Sequence, residues 1–243
     1  METPSEAIAA LGTFTDRSKR KSSVNFPIEY VKRADGTTPM AGRLFRSNDL
    51  RLKLHMTLVM RATKAPHTLP RLTTRYLARL LNVPGDTGPR RLNDAMKWLR
   101  KENLIADITL ADGKEGTQLL QPDGSGDLWE VKGATRWVGV PLSLWTKGWI
   151  LQLNGRDLAV LLALLELNGG SKHPQGEMMN GHRKKQYGLA DDTWTRATQE
   201  LEKLGLLRTT TVVWGNEEHE LRTRKRYRPV QQKLDDLPDW SVT

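Results

Sequence analysis

Apolar positions along this chain fall into two series of helical spacing, each followed by a stretch with the character of strands. The first helix signal opens at Ser47, an N-cap by residue type, and runs through Leu50, Leu52, Leu54, Met56, Leu58, Val59 and Met60. Pro66 and Pro70 close it. A second helix follows Thr73 with Tyr76, Leu77, Leu80 and Leu81, and the segment from Val83 to Gly88 is turn chemistry. Pro89 then sits in the first turn of a third helix, where Leu92, Ala95, Met96 and Leu99 recur at i, i+3, i+4 and i+7. Asn103 suits a left-handed cap. Residues 104–110, the turn at Asp112-Gly113 and residues 118–121 read as strand, turn and strand.

The same order returns further along. Residues 157–167 form a strongly apolar helix ended by Asn168-Gly169-Gly170, and a short basic helix at 182–187 leads to Gly188-Leu189. Asp191 reads as the cap of the next helix, whose stripe is Trp194, Ala197, Leu201 and Leu204 before Gly205 stops it. Residues 206–214 read as a strand, Gly215-Asn216 opens a turn, and residues 220–228 return as a basic strand. Sliding the sequence by 102 positions puts Leu92 on Trp194, Ala95 on Ala197, Leu99 on Leu201, Asn103 on Gly205, Leu104 on Leu206 and Ile105 on Leu207. Such a match predicts two copies of one unit.

The chain therefore divides into a flexible basic arm at 1–42, a first unit at 43–121, a connecting segment at 122–153, a second unit at 154–229 and an acidic tail at 230–243. The arm contains Arg17, Lys19, Arg20 and Lys21. Trp129, Trp137, Trp145 and Trp149 in the connecting segment are expected in a core or interface rather than in stacking on bases. The fold class is mainly α with small β-hairpins (α+β).

The joint between third helix and strand has a recurrent form, written here as Leu99-Arg100-Lys101-Glu102-Asn103-Leu104-Ile105 and Leu201-Glu202-Lys203-Leu204-Gly205-Leu206-Leu207. Three helices, this joint and a hairpin resemble the winged helix. The tandem arrangement, with Pro141-Leu142-Ser143-Leu144-Trp145 and Gly148-Trp149 ahead of the second unit, resembles DNA-binding proteins of bacterial plasmids and phages. Two-winged-helix replication initiators and actinobacterial regulators are among these. The resemblance implies two tandem winged helix-turn-helix domains, each with its third helix in the major groove and its hairpin along the backbone or minor groove.

Charge sharpens this picture. The formal net charge is +10, and its distribution is uneven: residues 51–101 hold 12 Lys and Arg against 2 Asp and Glu, and residues 183–228 hold 11 against 7. Polyanionic partners are expected, double-stranded DNA first. Arg71, Arg75 and Arg79 follow one another at four-residue steps on the second helix and suit phosphates. Opposite the apolar stripe of the third helix stand Arg90, Asn93, Asp94, Lys97 and Lys101, where arginine and lysine suit guanine and asparagine suits adenine. In the second unit the corresponding residues are Arg183, Lys184 and Lys185 on the short helix and Asp192, Thr195, Arg196, Gln199 and Lys203 on the third, a mixed hydrogen-bonding face. Arg222, Arg224, Arg226 and Arg228 alternate along one strand face. The first unit is expected to supply electrostatic affinity and the second to supply specificity.

Other chemistries are weakly represented. The absence of cysteine removes disulfides and thiol catalysis and suits a reducing cytoplasm. The first residues, among them Glu2, Pro4 and Glu6, lack the pattern of a secretory leader. No apolar run approaches the ~18 residues of a membrane span. His55, His67, His173, His182 and His219 lack metal-ligand spacing, and Asn168-Gly169-Gly170-Ser171-Lys172 lacks the full spacing of a phosphate loop. The expectation is a cytoplasmic, non-enzymatic protein without metal or cofactor, acting as a sequence-specific regulator or replication initiator. The competing expectation is an accessory factor, such as one that sets the direction of recombination, docking on a recombinase or replication protein through the acidic, Trp-rich middle.

Overall fold

A computed structural model describes residues 4–130, 136–171, 173–214 and 222–241. Helix α1 (Ser5–Asp16) is followed by strand β1 (Ser23–Pro27), a single turn α2 (Ile28–Val31), and helices α3 (Met40–Ser47) and α4 (Asp49–Arg61). Asn48 rather than Ser47 caps α4, its side chain accepting from the Leu50 N–H at 2.9 Å. Strand β2 (Thr68–Pro70), helices α5 (Thr74–Leu80) and α6 (Gly88–Lys101), and strands β3 (Ile105–Thr109) and β4 (Glu115–Leu119) complete the first unit. Its sheet is antiparallel in the order β2-β4-β3.

Strand β5 (Trp137–Pro141) pairs antiparallel with β1, and the short helices α7 (Ser143–Thr146) and α8 (Trp149–Gln152) lead into α9 (Gly155–Asn168). Strand β6 (Glu177–Met178), helices α10 (Gly181–Gln186) and α11 (Asp191–Lys203), and strands β7 (Leu207–Trp214) and β8 (Arg222–Pro229) follow. The second sheet has the order β6-β8-β7, which repeats the first element for element. A 3₁₀ turn at Gln231–Asp235 comes last. Gly215-Asn216 and Glu220 lie outside the described residues.

The repeat extends to single hydrogen bonds. Asn103 and Gly205 both adopt positive φ, 54° and 73°, and end their helices. The next N–H turns back onto the helix in both copies, Leu104 to the Leu99 carbonyl at 2.9 Å and Leu206 to the Leu201 carbonyl at 2.8 Å. Each joint residue that the 102-position shift matches is buried, from Leu92 and Trp194 to Ile105 and Leu207, apart from the exposed caps Asn103 and Gly205. The second helices match as well: Asn82 and Gly188 are left-handed, and Val83 and Leu189 donate back to Ala78 and Lys184 at 2.9 Å each. Asp191 is the first residue inside α11, with Ala190 at the N-cap, so its carboxylate is free to pair with Lys184.

Helix α9 joins the two units. Every residue from Asp157 to Glu166 is buried, as expected for a helix apolar on all sides. It packs on α3 and α4 of the first unit, on α11 and β8 of its own, and on β5. Buried Glu166 is satisfied by the Tyr187 hydroxyl, Lys32 at 3.4 Å and Arg136 at 3.7 Å.

The described parts of the expected arm and tail, residues 4–42 and 230–241, are ordered against the core. Helix α1 buries Ala7, Leu11 and Phe14, an i, i+4, i+7 stripe hidden in a polar composition. Val24 and Phe26 of β1 and Tyr30 of α2 are buried too. The larger of these side chains, Leu11, Phe14, Val24 and Phe26, each stabilise the fold by roughly 1.5–3 kcal/mol, enough to order a segment of polar composition. Arg20, expected to be a free basic residue, donates to the Met60 and Val59 carbonyls at 2.9 and 3.1 Å and so caps the C-terminus of α4. At the other end Leu234 and Trp240 are buried, and the Trp149 indole donates to the Asp236 carbonyl at 2.9 Å. No helix among the described residues is long and apolar enough to cross a membrane.

Candidate nucleic-acid interface

Helix α6 places its cations by simple geometry. Leu92, Ala95, Met96 and Leu99 hold one face in the core, so Arg90, Asp94, Lys97 and Lys101, repeating at i, i+4, i+7 and i+11, emerge on the other. Arg91 is also exposed, a cation that sequence reading passed over although it adjoins Arg90. Asn93 is half-buried at the margin of this face. Among the described residues no carboxylate lies within ion-pairing distance of Arg75, Arg90, Arg91, Lys97 or Lys101. Counting all its residues, α6 carries five Lys and Arg against the single Asp94.

The expected arginine row on the second helix is shorter than its spacing suggests. Arg75 and Arg79 are exposed on α5, with the Arg79 guanidinium 5.8 Å from the Tyr76 ring. Arg71 lies outside the helix, because Thr73 is the N-cap and accepts from the Tyr76 N–H at 3.2 Å. Its N–H joins the sheet by donating to the Glu115 carbonyl at 3.0 Å, and its guanidinium pairs with the Glu115 carboxylate. The hairpin of this unit is acidic. From Ile105 to Leu119 it holds Asp107, Asp112 and Glu115 against Lys114, and Asp107 receives Arg100 from α6 at 2.9 Å.

The second unit inverts this arrangement. Helix α11 has Arg196 and Lys203 against Asp191, Asp192, Glu200 and Glu202. Arg196 is paired with Asp192 at 2.9 Å, and Lys203 lies 3.9 Å from Glu200. The Thr195 hydroxyl donates to the Asp191 carbonyl at 2.9 Å, while Gln199 is exposed. On α10, Arg183 donates to the Met178 carbonyl at 2.6 Å and Lys184 pairs with Asp191 at 2.6 Å; Lys185 is exposed. The specificity face expected on α11 is thus a negatively balanced surface whose one arginine is already engaged.

The largest group of cations in this unit sits on the hairpin. Its two strands contain six Lys and Arg and no acidic residue, and the sequence between them adds Glu217, Glu218 and Glu220, so the whole stretch still carries a positive excess. Tyr227 packs edge-on against Trp194, ring centroids 5.1 Å apart, which turns the odd-numbered residues of β8 towards the helices near its base. The even positions, Arg222, Arg224, Arg226 and Arg228, share the opposite face. Arg208 stands directly across from Arg228 and joins them, a contribution legible only from the register. Arg226 and Arg228 donate to the carbonyls of Gly176 (3.0 Å) and Pro174, so the loop before β6 orients them without cancelling their charge.

Tryptophans of the connecting segment do not form part of this surface. Trp129, Trp145 and Trp149 are buried, Trp137 is half-buried, and the Trp145 indole donates to the Thr57 hydroxyl at 3.2 Å. Three of the four are therefore withdrawn from the surface, while Trp137 keeps part of its surface exposed. Compared with protein-family models, curated proteins and solved structures, the chain matches none.

Proposed function

We propose that this chain binds double-stranded DNA through two tandem winged-helix units, with α6 in the major groove and the β7–β8 hairpin along the backbone. The observation that carries the reading is the face of α6, where Arg90, Lys97 and Lys101 project from a well-anchored helix with no carboxylate among the described residues in ion-pairing distance. Unpaired cations on a rigid element favour phosphates and guanine edges. The element order and the repeated sheet order support the assignment of both units to the winged-helix class. On this reading specificity resides mainly in α6, and α11 serves chiefly to carry the basic hairpin. The biological role we propose is that of a regulator or replication initiator of a phage or plasmid.

Selection of bound sequences from a random duplex pool, followed by footprinting, tests the reading. Lys97→Ala and Arg90→Ala are each expected to lower affinity for the selected site and to relax base preference, by about 1–3 kcal/mol if the contact is bidentate. Arg196→Ala is expected to change little. Enrichment of no sequence, together with salt-independent binding, would remove both DNA recognition and the role of α6.

A further inference from the structure

Where α1, the end of α4 and the start of α5 meet, the surface folds into a cavity of about 290 Å³. Its floor is aromatic: Phe14 of α1 and Tyr76 of α5 stand with ring centroids 6.0 Å apart. Three arginines line it, Arg17 from the end of α1, Arg61 from the last turn of α4, and Arg71. The Arg61 guanidinium lies 5.8 Å from the Phe14 ring, and on the far side Arg79 lies 5.8 Å from Tyr76. Arg71 has Glu115, but no carboxylate among the described residues lies within ion-pairing distance of Arg17 or Arg61. Burial and the neighbouring Arg17 charge hold the Arg61 guanidinium below its usual range. Two like charges converging on a concave surface without a counterion are mutually destabilising, and an anion placed between them relieves both.

We propose that this cavity is a phosphate-ester site, occupied by the DNA backbone next to the groove that α6 enters, so that the N-terminal helix extends the interface beyond the first unit. The inference rests on the DNA-binding reading above. Three features favour the backbone as the source of the phosphate. Tyr76 lies on α5, the helix that carries the exposed Arg75 and Arg79. Guanidinium groups braced against aromatic faces lose little freedom on meeting a phosphate. The Phe14–Tyr76 floor also leaves an apolar wall against which a deoxyribose can rest.

Fluorescence anisotropy with a labelled duplex of about 30 base pairs, measured between 50 and 200 mM salt, tests this, each backbone contact contributing ~0.9 to the salt slope. The wild type is expected to lose about tenfold more affinity across that range than Arg17→Gln/Arg61→Gln, which lacks two such contacts. Arg17→Lys/Arg61→Lys, which keeps the charges, is expected to retain most of the slope and controls for loss of packing, with circular-dichroism melting of each variant beside it. A Gln variant that melts like the wild type and has an unchanged slope would overturn the proposal. If that variant also loses a saturable thermal shift that deoxyadenosine monophosphate or inorganic phosphate gives the wild type, the site takes a free phosphate ester and the backbone assignment is overturned. A wild type that does not bind the duplex at all brings down the DNA-binding reading and this inference together, whereas normal wild-type binding with unaffected variants removes only the inference.

Discussion

His55 offers a sharp test of how this core is built. It lies on α4 with no exposed surface, its Nδ1 3.1 Å from the Tyr30 hydroxyl and its ring stacked on Tyr30 at a centroid distance of 5.5 Å. Trp129 closes the other side at 6.1 Å, and Nε2 has no hydrogen-bond partner among the described residues. With no carboxylate among the described residues acting on it, the ring can take a second proton only by burying an uncompensated charge, and burial lowers its pKa to about 3. In the unfolded chain the same ring titrates near 6.5. The unfolded state therefore binds the extra proton, and stability falls as pH drops below about 6.5, the loss being complete near 3. Between pH 7 and pH 5 the linkage amounts to about 2 kcal/mol, since one pKa unit is 1.36 kcal/mol. Urea unfolding at the two pH values should show this loss in the wild type and not in His55→Phe. The variant strands the Tyr30 hydroxyl and is expected to be less stable at both pH values, so Tyr30→Phe/His55→Phe provides a second background. Equal pH dependence in the wild type and both variants would refute the reasoning.

Lys53 should act at the opposite end of the pH scale. Its ammonium donates to the Leu151 carbonyl at 3.1 Å, and burial, opposed by Asp49 and Asp157, lowers its pKa to about 8. The folded amine sheds its proton before the unfolded one does, so stability rises with pH between about 8 and 10.5; relative to Lys53→Met, urea unfolding should give a gain of about 1–2 kcal/mol from pH 7 to 9.5, after allowance for partial solvent access. Gly176 has φ 85°, and a Cβ there would fall 2.2 Å from the Tyr227 carbonyl oxygen. Gly176→Ala is thus expected to cost more than ~2 kcal/mol in thermal or urea unfolding and to loosen the β6–β8 pairing that orients Arg226. Asp192→Asn should release Arg196 and raise affinity for duplex DNA a few-fold at low salt, with at most ~1 kcal/mol lost from the first turn of α11; unchanged affinity would place α11 away from the DNA.

The two repeated units were legible because their signal is carried by large buried residues at fixed spacing. Leu92 and Trp194, Leu99 and Leu201, and the caps Asn103 and Gly205 occupy matching places for reasons of packing and backbone that hold in any sequence context. Shorter signals were lost. Strands β2 and β6 contain three and two residues, too few for an alternation to show, and β2 ends in Pro70. The stripe of Ala7, Leu11 and Phe14 was masked by the charged segment that follows it, and what makes α1 a helix of the core is the distant partners that bury it, α4, α5 and α7. Among the candidate contacts, Arg71 needed the position of the Thr73 cap to be placed off the helix. Arg196 is a different case. Asp192 lies four residues before it, so their pairing was already written in the spacing and needed only to be weighed against base recognition.

That pairing bears on why the units differ. On the DNA-binding reading proposed above, each unit would offer a helix and a hairpin to the duplex, and only one of the two is cationic in each: α6 in the first, the β7–β8 hairpin in the second. The other element carries an acidic excess, on the β3–β4 hairpin and on α11 respectively. Close approach of those carboxylates to phosphate would oppose binding, so two units used identically would each work against themselves. Used differently, as proposed, they would supply between them one groove-entering helix and one backbone-tracking hairpin. Such a division requires the units to hold a fixed relation, and the packing of buried α9 on α3 and α4 provides one. Loosening that joint should therefore weaken DNA binding even where every cation is kept, which distinguishes a two-part interface from two independent modules on a tether.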